Sequence, residues 1–317
     1  MASSSPIALV TGGAGFIGSH IAHALAKRGV QVRVIDDLSS SEGSDLDDLD
    51  GALVRGDIRN STPLPELVQG SNWIFHQAAL VSVPGSIEEP ERCYAINVEG
   101  TLNVLRAAHQ AGVERVVLAS SAAVYGESGE PIAEDHEKKP LSPYAASKLA
   151  MEEAALMYHR VYGLPVVCLR YFNVYGPRQR PDSPYAAVIP AFIRAMLEGR
   201  PPVIYGDGEQ RRDFVYVDDV VRANLLAVER EQAVGGIFNI GGGGSISINE
   251  LAGILQSILP DGPESLYGPP REGDIHFSEA DLRKAEQSLG YRPEVGIQEG
   301  LRKTVKWFLN HQLEATR

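Results

Sequence analysis

A glycine-rich turn near the start of the chain restricts the fold more than any other feature of the sequence. The apolar run 7–10 is typical of a buried strand, and the helical pattern of Ser19–Arg28 begins soon after it. Between the two, Gly12, Gly15 and Gly18 form the pattern G-x-x-G-x-x-G. These glycines suit a tight turn, a backbone that approaches a pyrophosphate closely and a helix that packs hard on the strand. The pattern therefore predicts a dinucleotide-binding unit whose phosphates lie at the helix N-terminus.

An acid at the end of the next apolar run indicates which dinucleotide is bound. Val32–Ile35 is followed by Asp36, which lies about 20 residues after the glycines, where an acid accepts hydrogen bonds from both ribose hydroxyls of NAD. Its charge would repel the 2′-phosphate of NADP, and neither Asp37 nor Leu38 provides a basic partner for that phosphate. The sequence therefore predicts NAD as the cofactor.

Short apolar runs alternate with helical patterns along the first half of the chain. The expected strands that follow the first two are residues 52–54, 73–76, 116–119 and 165–170. This alternation predicts an α/β fold with a doubly wound parallel (Rossmann) sheet. After residue 175, proline and glycine become frequent, which predicts a smaller C-terminal α/β substrate domain. We place the NAD-binding domain at 1–175, with 213–243 returning to it, and the substrate domain at 176–317.

Two segments of the second half have patterns of their own. Residues 214–220 are expected to form a strand before a helix. Residues 247–250, S-I-N-E, match the capping pattern that begins a helix.

The stretch from Ser120 to Lys148 carries the predicted chemistry. Tyr144 and Lys148 are four residues apart in a helical pattern, so their side chains share one face of the helix. A lysine beside a tyrosine favours the phenolate and is expected to lower the pKa of the phenol. Ser121 ends the preceding strand and can hydrogen-bond the same substrate atom. A lone Y-x-x-x-K pair occurs by chance on many helices, so the catalytic prediction depends on the glycine turn and Asp36.

Composition excludes several classes of function. The 317-residue chain has a formal net charge of −12, which argues against a nucleic-acid partner. Two cysteines, Cys93 and Cys168, do not form a disulfide framework. The N-terminal residues 1–6 lack the basic region of a signal peptide, and no apolar run reaches membrane-spanning length. We therefore expect a cytoplasmic enzyme without a membrane partner. His76 is interpreted as a packed strand histidine rather than a base.

Five motifs in order resemble one known family. They are T-G-G-A-G-F-I-G, the D-I after the third strand, S-S-A-A-V-Y-G, Y-A-A-S-K and R-Y-F-N-V-Y-G-P-R. Together they resemble the extended short-chain dehydrogenase/reductases, and within these the UDP-hexose 4-epimerases, over residues 7–310. The resemblance implies bound NAD, a UDP-sugar substrate and a homodimer formed through helices near 101–110 and 145–162.

The resemblance also implies a reaction. Tyr144, as the phenolate, takes the proton of the sugar 4-hydroxyl while NAD oxidises C4 to a transient 4-keto sugar. The sugar then turns about its diphosphate linkage, and C4 is reduced on its other face. NAD is regenerated in each turnover and is expected to stay bound.

The resemblance implies three sets of site residues and no metal ligand. The expected catalytic residues are Ser121, Tyr144 and Lys148. The expected cofactor-binding residues are Gly12, Gly15, Phe16, Ile17, Asp36, Asp57, Ile58, Gln77, Ala78, Ala79, Asn97, Tyr144, Lys148 and Tyr171. The expected substrate-binding residues are Ser121, Tyr144, Asn173, Ala187, Val188, Arg212, Arg271, Asp274 and Ser278. Among these, Asp57 and Ile58 are assigned to the adenine, and Arg212 and Arg271 to the diphosphate.

Residues beside Ser121 separate the activities found within the family. Sugar-nucleotide 4,6-dehydratases have a Thr-Asp-Glu sequence where this chain has Ser121, Ala122 and Ala123, and the decarboxylases have a glutamate at the position of Ala123. Without these acids, proton delivery to C6 lacks a catalyst, so we regard a dehydratase as the weaker alternative. A non-catalytic NAD-binding relative is also disfavoured, since both Tyr144 and Lys148 are present.

The choice of sugar is predicted from a second set of positions. Ser278 stands where epimerases restricted to glucose and galactose have a tyrosine, so it leaves room for a 2-acetamido group. Residues 185–190, Y-A-A-V-I-P, also resemble epimerases of N-acetylated sugars. We therefore expect activity on UDP-glucose and UDP-galactose and on their N-acetylated counterparts. A UDP-glucuronate 4-epimerase is the main alternative, in which Arg178 or Arg180 would meet the carboxylate, although arginines paired on the surface are the preferred interpretation.

Overall fold

The computed structural model describes residues 5–49, 51–181, 187–271 and 273–315. Its strands are β1 Ile7–Thr11, β2 Gln31–Asp36, β3 Leu53–Arg55, β4 Trp73–His76, β5 Arg115–Ser121, β6 Val166–Tyr171, β7 Asn173–Tyr175, β8 Val203–Tyr205, β9 Arg211–Tyr216, β10 Ile237–Ile240, β11 Ser245–Ser247, β12 Leu266–Gly268 and β13 Phe277–Ser278. Its α-helices are α1 Phe16–Lys27, α2 Leu64–Val68, α3 Val83–Glu88, α4 Pro90–Tyr94, α5 Thr101–Ala111, α6 Pro143–Tyr162, α7 Val188–Leu197, α8 Val217–Glu229, α9 Ile248–Ile258, α10 Arg283–Leu289 and α11 Ile297–Ala315. Within these ranges, none of the helices has both the length and the apolarity needed to span a bilayer.

Seven of the strands form one parallel sheet in the order β3, β2, β1, β4, β5, β6, β10. The chain builds outward from β1 to β3 on one side and from β4 to β6 on the other, so the strand order reverses between β1 and β4. In such sheets, ligands bind in the crevice at the carboxyl ends of the strands where the order reverses. The predicted α/β fold with a doubly wound parallel sheet is confirmed.

Helices cover both faces of this sheet. Val117 of β5 packs in the same core as residues of α1, α8 and α10. Its neighbours Val116 and Leu118 point to the opposite face and pack with α2, α5 and α6. Because both faces are buried, the central strands are continuous apolar runs rather than alternating ones, which is the pattern that predicted them.

A smaller sheet is built around β9, which pairs with β7, β11 and β13. Residues of α7, α9 and α11 form a separate apolar core beside it. The strand expected over 214–220 is too long, because β9 ends at Tyr216 and the acids Asp218 and Asp219 lie in the first turn of α8, where they favour a helix start. The predicted cap is confirmed, since Ser247 and Glu250 each accept a hydrogen bond from the other's backbone N–H, at 3.0 and 2.7 Å.

Candidate active site

The three glycines of the turn after β1 meet different neighbours. Gly12 has a φ of +65°, and a Cβ there would lie 2.6 Å from the backbone nitrogen of Ala78. A Cβ at Gly18 would lie 2.2 Å from the carbonyl oxygen of Gly12. A Cβ at Gly15, by contrast, meets only that oxygen among the described atoms within 4 Å, at 3.3 Å. Two of the glycines are therefore required by the packing of the protein itself, whereas the space beside Gly15 is a cradle that a Cβ would partly fill.

The helix that follows this turn begins at a bare end. Phe16 and Ile17 form the start of α1, and none of the described side chains caps its N-terminus at Gly15. Such an end presents unpaired N–H groups and a partial positive charge, which favour a bound phosphate. The turn and the helix together fit the pyrophosphate of a dinucleotide.

Asp36 ties the end of β2 to this turn. One of its carboxylate oxygens accepts from the N–H of Ala14 at 3.0 Å, and the other accepts from the N–H of Leu38 at 2.9 Å. Burial raises the pKa of Asp36, and these two hydrogen bonds oppose the rise. A carboxylate has about four acceptor sites, so Asp36 retains the capacity to accept ribose hydroxyls while it holds the turn.

Asp57 and Ile58, the residues predicted to lie at the adenine, have different environments. The carboxylate of Asp57 accepts from the backbone N–H of Arg59 at 2.8 Å and also binds its guanidinium, which lowers the pKa of Asp57. Ile58 is buried, and a Cβ at Gly100 would lie 2.6 Å from its Cδ1. The Asp57 side chain therefore closes a turn and Ile58 packs in the core, and contact with an adenine stays a prediction.

Three polar side chains meet at the carboxyl ends of β4 and β6. The amide nitrogen of Gln77 lies 3.3 Å from the hydroxyl of Tyr171 and 3.3 Å from the side-chain oxygen of Asn224. The amide of Asn224, on α8, donates to the Tyr171 hydroxyl at 2.8 Å. Burial raises the pKa of Tyr171 to about 12, so this hydroxyl stays protonated at neutral pH. The cluster holds Gln77, and with it the start of the segment that continues into Ala78 and Ala79.

Asn97 lies within a π-helix, Ala95–Gly100, between α4 and α5. Its side-chain oxygen accepts from the N–H of Leu80 at 2.8 Å, and its amide donates to the hydroxyl of Ser147 at 2.9 Å. Ser147 in turn donates to the carbonyl of Tyr144 at 2.7 Å. These bonds join the side chain to other parts of the protein, and its contact with the cofactor stays a prediction. Asn97 therefore braces the segment after β4 against α6.

His76 is confirmed as a packed histidine. Its Nδ1 lies 2.7 Å from the hydroxyl of Thr11, and its Nε2 lies 2.9 Å from that of Thr101. Thr101 donates its hydroxyl proton to the carbonyl of Asn97 at 2.6 Å, so His76 must donate from Nε2 and accept at Nδ1. Burial lowers the pKa of His76 to about 3. The neutral ring therefore links the end of β1 to the start of α5.

Ser121, Tyr144 and Lys148 meet at the carboxyl end of β5. Tyr144 is 9% exposed and Lys148 is 3% exposed, both on α6. The Lys148 ammonium donates to the carbonyl of Ala119 at 2.8 Å. The N–H of Tyr144 donates to the hydroxyl of Ser86 at 3.0 Å, which fixes the start of α6 against α3.

The expected lowering of the pKa of Tyr144 by Lys148 is not what the structure shows. Burial raises the pKa of Tyr144, and a hydrogen bond with Ser121 opposes the rise. Burial also lowers the pKa of Lys148 from its ordinary value of 10.5 to about 8. The prediction was wrong because it considered the opposite charge and left out the desolvation of both groups.

Replacing Lys148 by methionine should therefore stabilise the cofactor-free protein. The buried ammonium costs about 3 kcal/mol of folding free energy at pH 7 if its pKa falls from 10.5 to about 8. This cost is fully present below pH 8 and disappears as the pH rises towards 10.5, where the unfolded chain also loses the proton. Thermal unfolding of both proteins at several pH values measures the difference. A Lys148→Met protein that is less stable than wild type at pH 7 would contradict the expectation.

The predicted substrate residues lie around β9 and β13. Arg212 forms an ion pair with Asp274, and Asp274 also accepts from the amide of Gln210 at 3.2 Å. Ser278 is the partner of Arg212 in the β-ladder. Asn173 donates to the carbonyl of Asp213 at 3.2 Å. The structure therefore brings Arg212, Asp274 and Ser278 together, with Asn173 on the adjoining strand.

The remaining substrate residues lie at the edge of this group. The guanidinium of Arg271 stacks over the ring of Tyr205, 3.8 Å from its centroid. Ala187 is the exposed N-cap of α7 and Val188 its first residue. The first two residues of the segment 185–190 lie outside the described residues.

Comparison with known proteins gives the family. The model of the NAD dependent epimerase/dehydratase family matches residues 8–241, which is more than half of the chain. The chain belongs to this family. The resemblance to the extended short-chain dehydrogenase/reductases is thereby confirmed.

Three epimerases of the family illustrate how far the similarity extends. The UDP-glucose 4-epimerase of Mycolicibacterium smegmatis is 40% identical over 312 residues, covering 95% of this chain and 98% of that one. The UDP-N-acetylglucosamine 4-epimerase of Methanobrevibacter ruminantium, solved in complex with UDP-N-acetylmuramic acid, is 41% identical with a TM-score of 0.93 over 97% of this chain and 99% of that one. The UDP-glucose 4-epimerase of Thermus thermophilus, solved with NAD, is 40% identical with a TM-score of 0.87 over 96% and 99%.

Sequence analysis of this epimerase/dehydratase family member missed several polar residues around the site. Ser86, Ser147 and Asn224 all hydrogen-bond residues that were predicted. Ser147 lies between Tyr144 and Lys148 in the chain, and that position was the only signal for it. Ser86 and Asn224 are far from their partners in sequence, so nothing in the pattern indicated them.

Proposed function

We propose that this protein is an NAD-dependent 4-epimerase of UDP-hexoses. The observation that carries the proposal is the meeting of Ser121, Tyr144 and Lys148 at the carboxyl end of β5, with Ala122 and Ala123 next in the chain. This set can take and return one proton at a sugar hydroxyl. It lacks the second acid that a dehydratase needs beside it.

Each residue of the site has its own role in the proposed reaction. Tyr144 takes the proton of the 4-hydroxyl and returns it to the same oxygen after the sugar has turned, and Ser121 hydrogen-bonds that oxygen. Lys148 contributes a positive charge beside the phenol. The turn at Gly12–Ile17, Asp36 and Lys148 would hold NAD, which when bound supplies the redox partner for C4 and a positive nicotinamide ring. Burial of Tyr144 excludes water from the transfer.

An epimerisation assay without added NAD tests this proposal. We expect the purified protein to interconvert UDP-glucose and UDP-galactose, because NAD is regenerated in each turnover and stays bound. Purified protein that carries NAD but acts on none of the UDP-hexoses would reject the proposal.

Ser278 supports a wider substrate range that includes the N-acetylated sugars. It lies on β13 beside Arg212, and a serine occupies far less of the pocket than the tyrosine of restricted relatives. A Ser278→Tyr change should lower kcat/KM for UDP-N-acetylgalactosamine by about 10- to 200-fold relative to that for UDP-galactose. Steady-state rates on both sugars measure the ratio, with Ser278→Ala as the control that keeps the space open. If the wild type turned over UDP-galactose alone, the wider range would be wrong.

The arginines considered for a UDP-glucuronate 4-epimerase have partners in the N-terminal half. Arg178 lies 3.3 Å from the carboxylate of Asp45, and Arg180 lies 3.9 Å from that of Glu42. These pairs support the neutral hexoses as the substrates over a uronate. Rates on UDP-glucuronate and UDP-glucose compared under the same conditions decide between the two activities.

Assembly, location and domain limits complete the proposal. We propose a homodimer formed through α5 and α6, since Val161 and Tyr162 at the end of α6 are 64% and 50% exposed. Sedimentation equilibrium should give twice the monomer mass. A cytoplasmic location is supported by the free, buried thiols of Cys93 and Cys168. We propose residues 1–175 and 213–243 as the NAD-binding domain, with the rest of 176–317 as the substrate domain.

A further inference from the structure

Helix α6 presents three functional groups in a row. Tyr144, Lys148 and Glu152 follow one another at intervals of four residues, and all three are buried. Lys148 donates to the carbonyl of Ala119 at 2.8 Å. One turn further on, the carboxylate of Glu152 accepts from the hydroxyl of Ser120. The helix is therefore bonded to two consecutive residues of β5, directly before Ser121.

Glu152 is itself held by a buried guanidinium. Arg170 of β6 donates to the two carboxylate oxygens of Glu152 at 2.8 and 2.6 Å, and each side chain is 1% exposed. The same guanidinium donates to the hydroxyl of Tyr125 at 2.7 Å and to the carbonyl of Glu134 at 3.0 Å. Tyr125 donates onward to Asn239 of β10 at 2.6 Å. The Arg170 side chain is thus held by hydrogen bonds to α6 and to the loop after β5, and Tyr125 connects it to β10.

We propose that Glu152, fixed by Arg170, is a positioning residue that sets the rotation and height of α6 so that Tyr144 meets Ser121. This inference rests on the proposed epimerase function. A buried ion pair is a weak source of stability, since apolar residues of similar volume often replace one without loss. The pair at this place is better explained by the way it fixes the position of α6 against β5. The hydrogen bond between Ser120 and Glu152 fixes the helix directly beside Ser121, the next residue of the strand.

The charge of Glu152 also reaches the catalytic lysine. Cys93 raises the pKa of Lys148 and Glu152 raises it to a smaller extent, both against the larger effect of burial. The other titratable groups that interact with Lys148 are Cys93 of α4, Cys168 of β6 and His76 of β4. The pKa of the Cys168 thiol is raised well above its ordinary value, so this thiol supplies no negative charge at neutral pH. The imidazole of His76 is neutral and adds no positive charge.

The test replaces the pair by an apolar one. A Glu152→Met/Arg170→Met double variant should fold with a Tm close to that of wild type. Its kcat should fall at least about tenfold while KM for the UDP-sugar changes little, because a small misplacement of Tyr144 affects the reacting geometry. The alkaline limb of its pH profile should move to lower pH, since Lys148 loses the support of the carboxylate. Glu152→Asp keeps the charge but shortens the reach, so it should lower kcat and leave that limb in place.

A readout independent of turnover separates this inference from the proposed function. The phenol of Tyr144 can be titrated by ultraviolet difference spectra of each cofactor-free variant against its Tyr144→Phe counterpart. Loss of the Ser121 hydrogen bond should raise the pKa of Tyr144 in the double variant. If the wild type were inactive on every UDP-hexose, the proposed function would fail. The titration would still test whether Glu152 and Arg170 hold Tyr144 against Ser121.

Arg115→Met is the matched control. Arg115 is a buried arginine at the opposite end of β5, where it donates to the carbonyls of Ala227 and Arg230 at 3.2 and 3.1 Å. This variant should lower Tm and keep the wild-type kcat, pH profile and Tyr144 titration. A folded double variant with wild-type kcat, pH profile and Tyr144 titration would overturn the proposal. So would an Arg115→Met protein whose kcat and pH profile change as much as those of the double variant.

Discussion

Tyr144→Phe should lower kcat of the epimerisation by about 10²- to 10⁴-fold, the usual contribution of a positioned acid or base. The ring keeps its packing in a pocket where it is only 9% exposed, and the bond from its N–H to Ser86 does not involve the hydroxyl. KM for the UDP-sugar and the amount of bound NAD should therefore change little. Initial rates at saturating UDP-galactose, with NAD released by denaturation and counted, measure both.

Tyr158→Phe is the control for this change, because it removes a hydroxyl from the same helix away from Ser121. It should retain the wild-type rate. A Tyr144→Phe enzyme that worked at the wild-type rate would remove Tyr144 from the mechanism and leave the three-residue site without its base.

Gly18→Ala should cost about 1–3 kcal/mol of stability or more, because the added methyl group would overlap backbone atoms. The new Cβ would lie 2.2 Å from the carbonyl oxygen of Gly12 and 2.7 Å from the Cα of Gly13. Neither atom belongs to a side chain that can rotate away, so the turn must shift. We expect the purified variant to contain little NAD and to have a lower Tm than the wild type when both are free of cofactor.

Gly15→Ala should separate the cofactor effect from the packing effect. Its Cβ meets one protein atom within 4 Å, at 3.3 Å, so Tm of the cofactor-free protein should fall less than in Gly18→Ala. Retention of NAD should still fall, because the methyl group occupies the cradle of the turn. Equal NAD content in Gly15→Ala and wild type would show that the pyrophosphate lies elsewhere.

Gly253→Ala controls for the general effect of removing a glycine. Gly253 is an exposed residue inside α9, and no atom of the described residues lies within 4 Å of a Cβ placed there. An alanine at such a position should stabilise the protein by about 0.5–1 kcal/mol. The two substitutions in the turn should therefore lower the stability of the protein, whereas this one should raise it.

Features set by local sequence were predictable. The roles of Gly12 and Gly18 follow from a turn between a buried strand and a helix, and the structure shows the close contacts that exclude a side chain at both. The cap formed by Ser247 and Glu250 depends on residues three apart. For Gly18 and for the cap, the atoms that decide the outcome belong to residues close together in the chain, whereas the close contact of Gly12 is with Ala78.

Features set by distant parts of the chain were not predictable. The pairing of Arg212 with Asp274 joins residues 62 positions apart, and Asn224 meets Tyr171 across 53 positions. The pKa of Tyr144 was mispredicted for the same reason, because the burial that raises it is supplied by the packing of several elements around α6. A sequence pattern identifies the titratable groups, but it does not show how far folding removes them from water.

The place of β10 has a consequence for how the protein can be made. β10 covers the edge of β6 in the large sheet, although β9 before it and β11 after it belong to the small sheet. A nascent chain therefore leaves the backbone of β6 unpaired on one side until residues 237–240 have been synthesised, and an unpaired edge can join strands of other chains. Fragments cut after residue 175 should aggregate for this reason, because they leave the β6 edge unpaired.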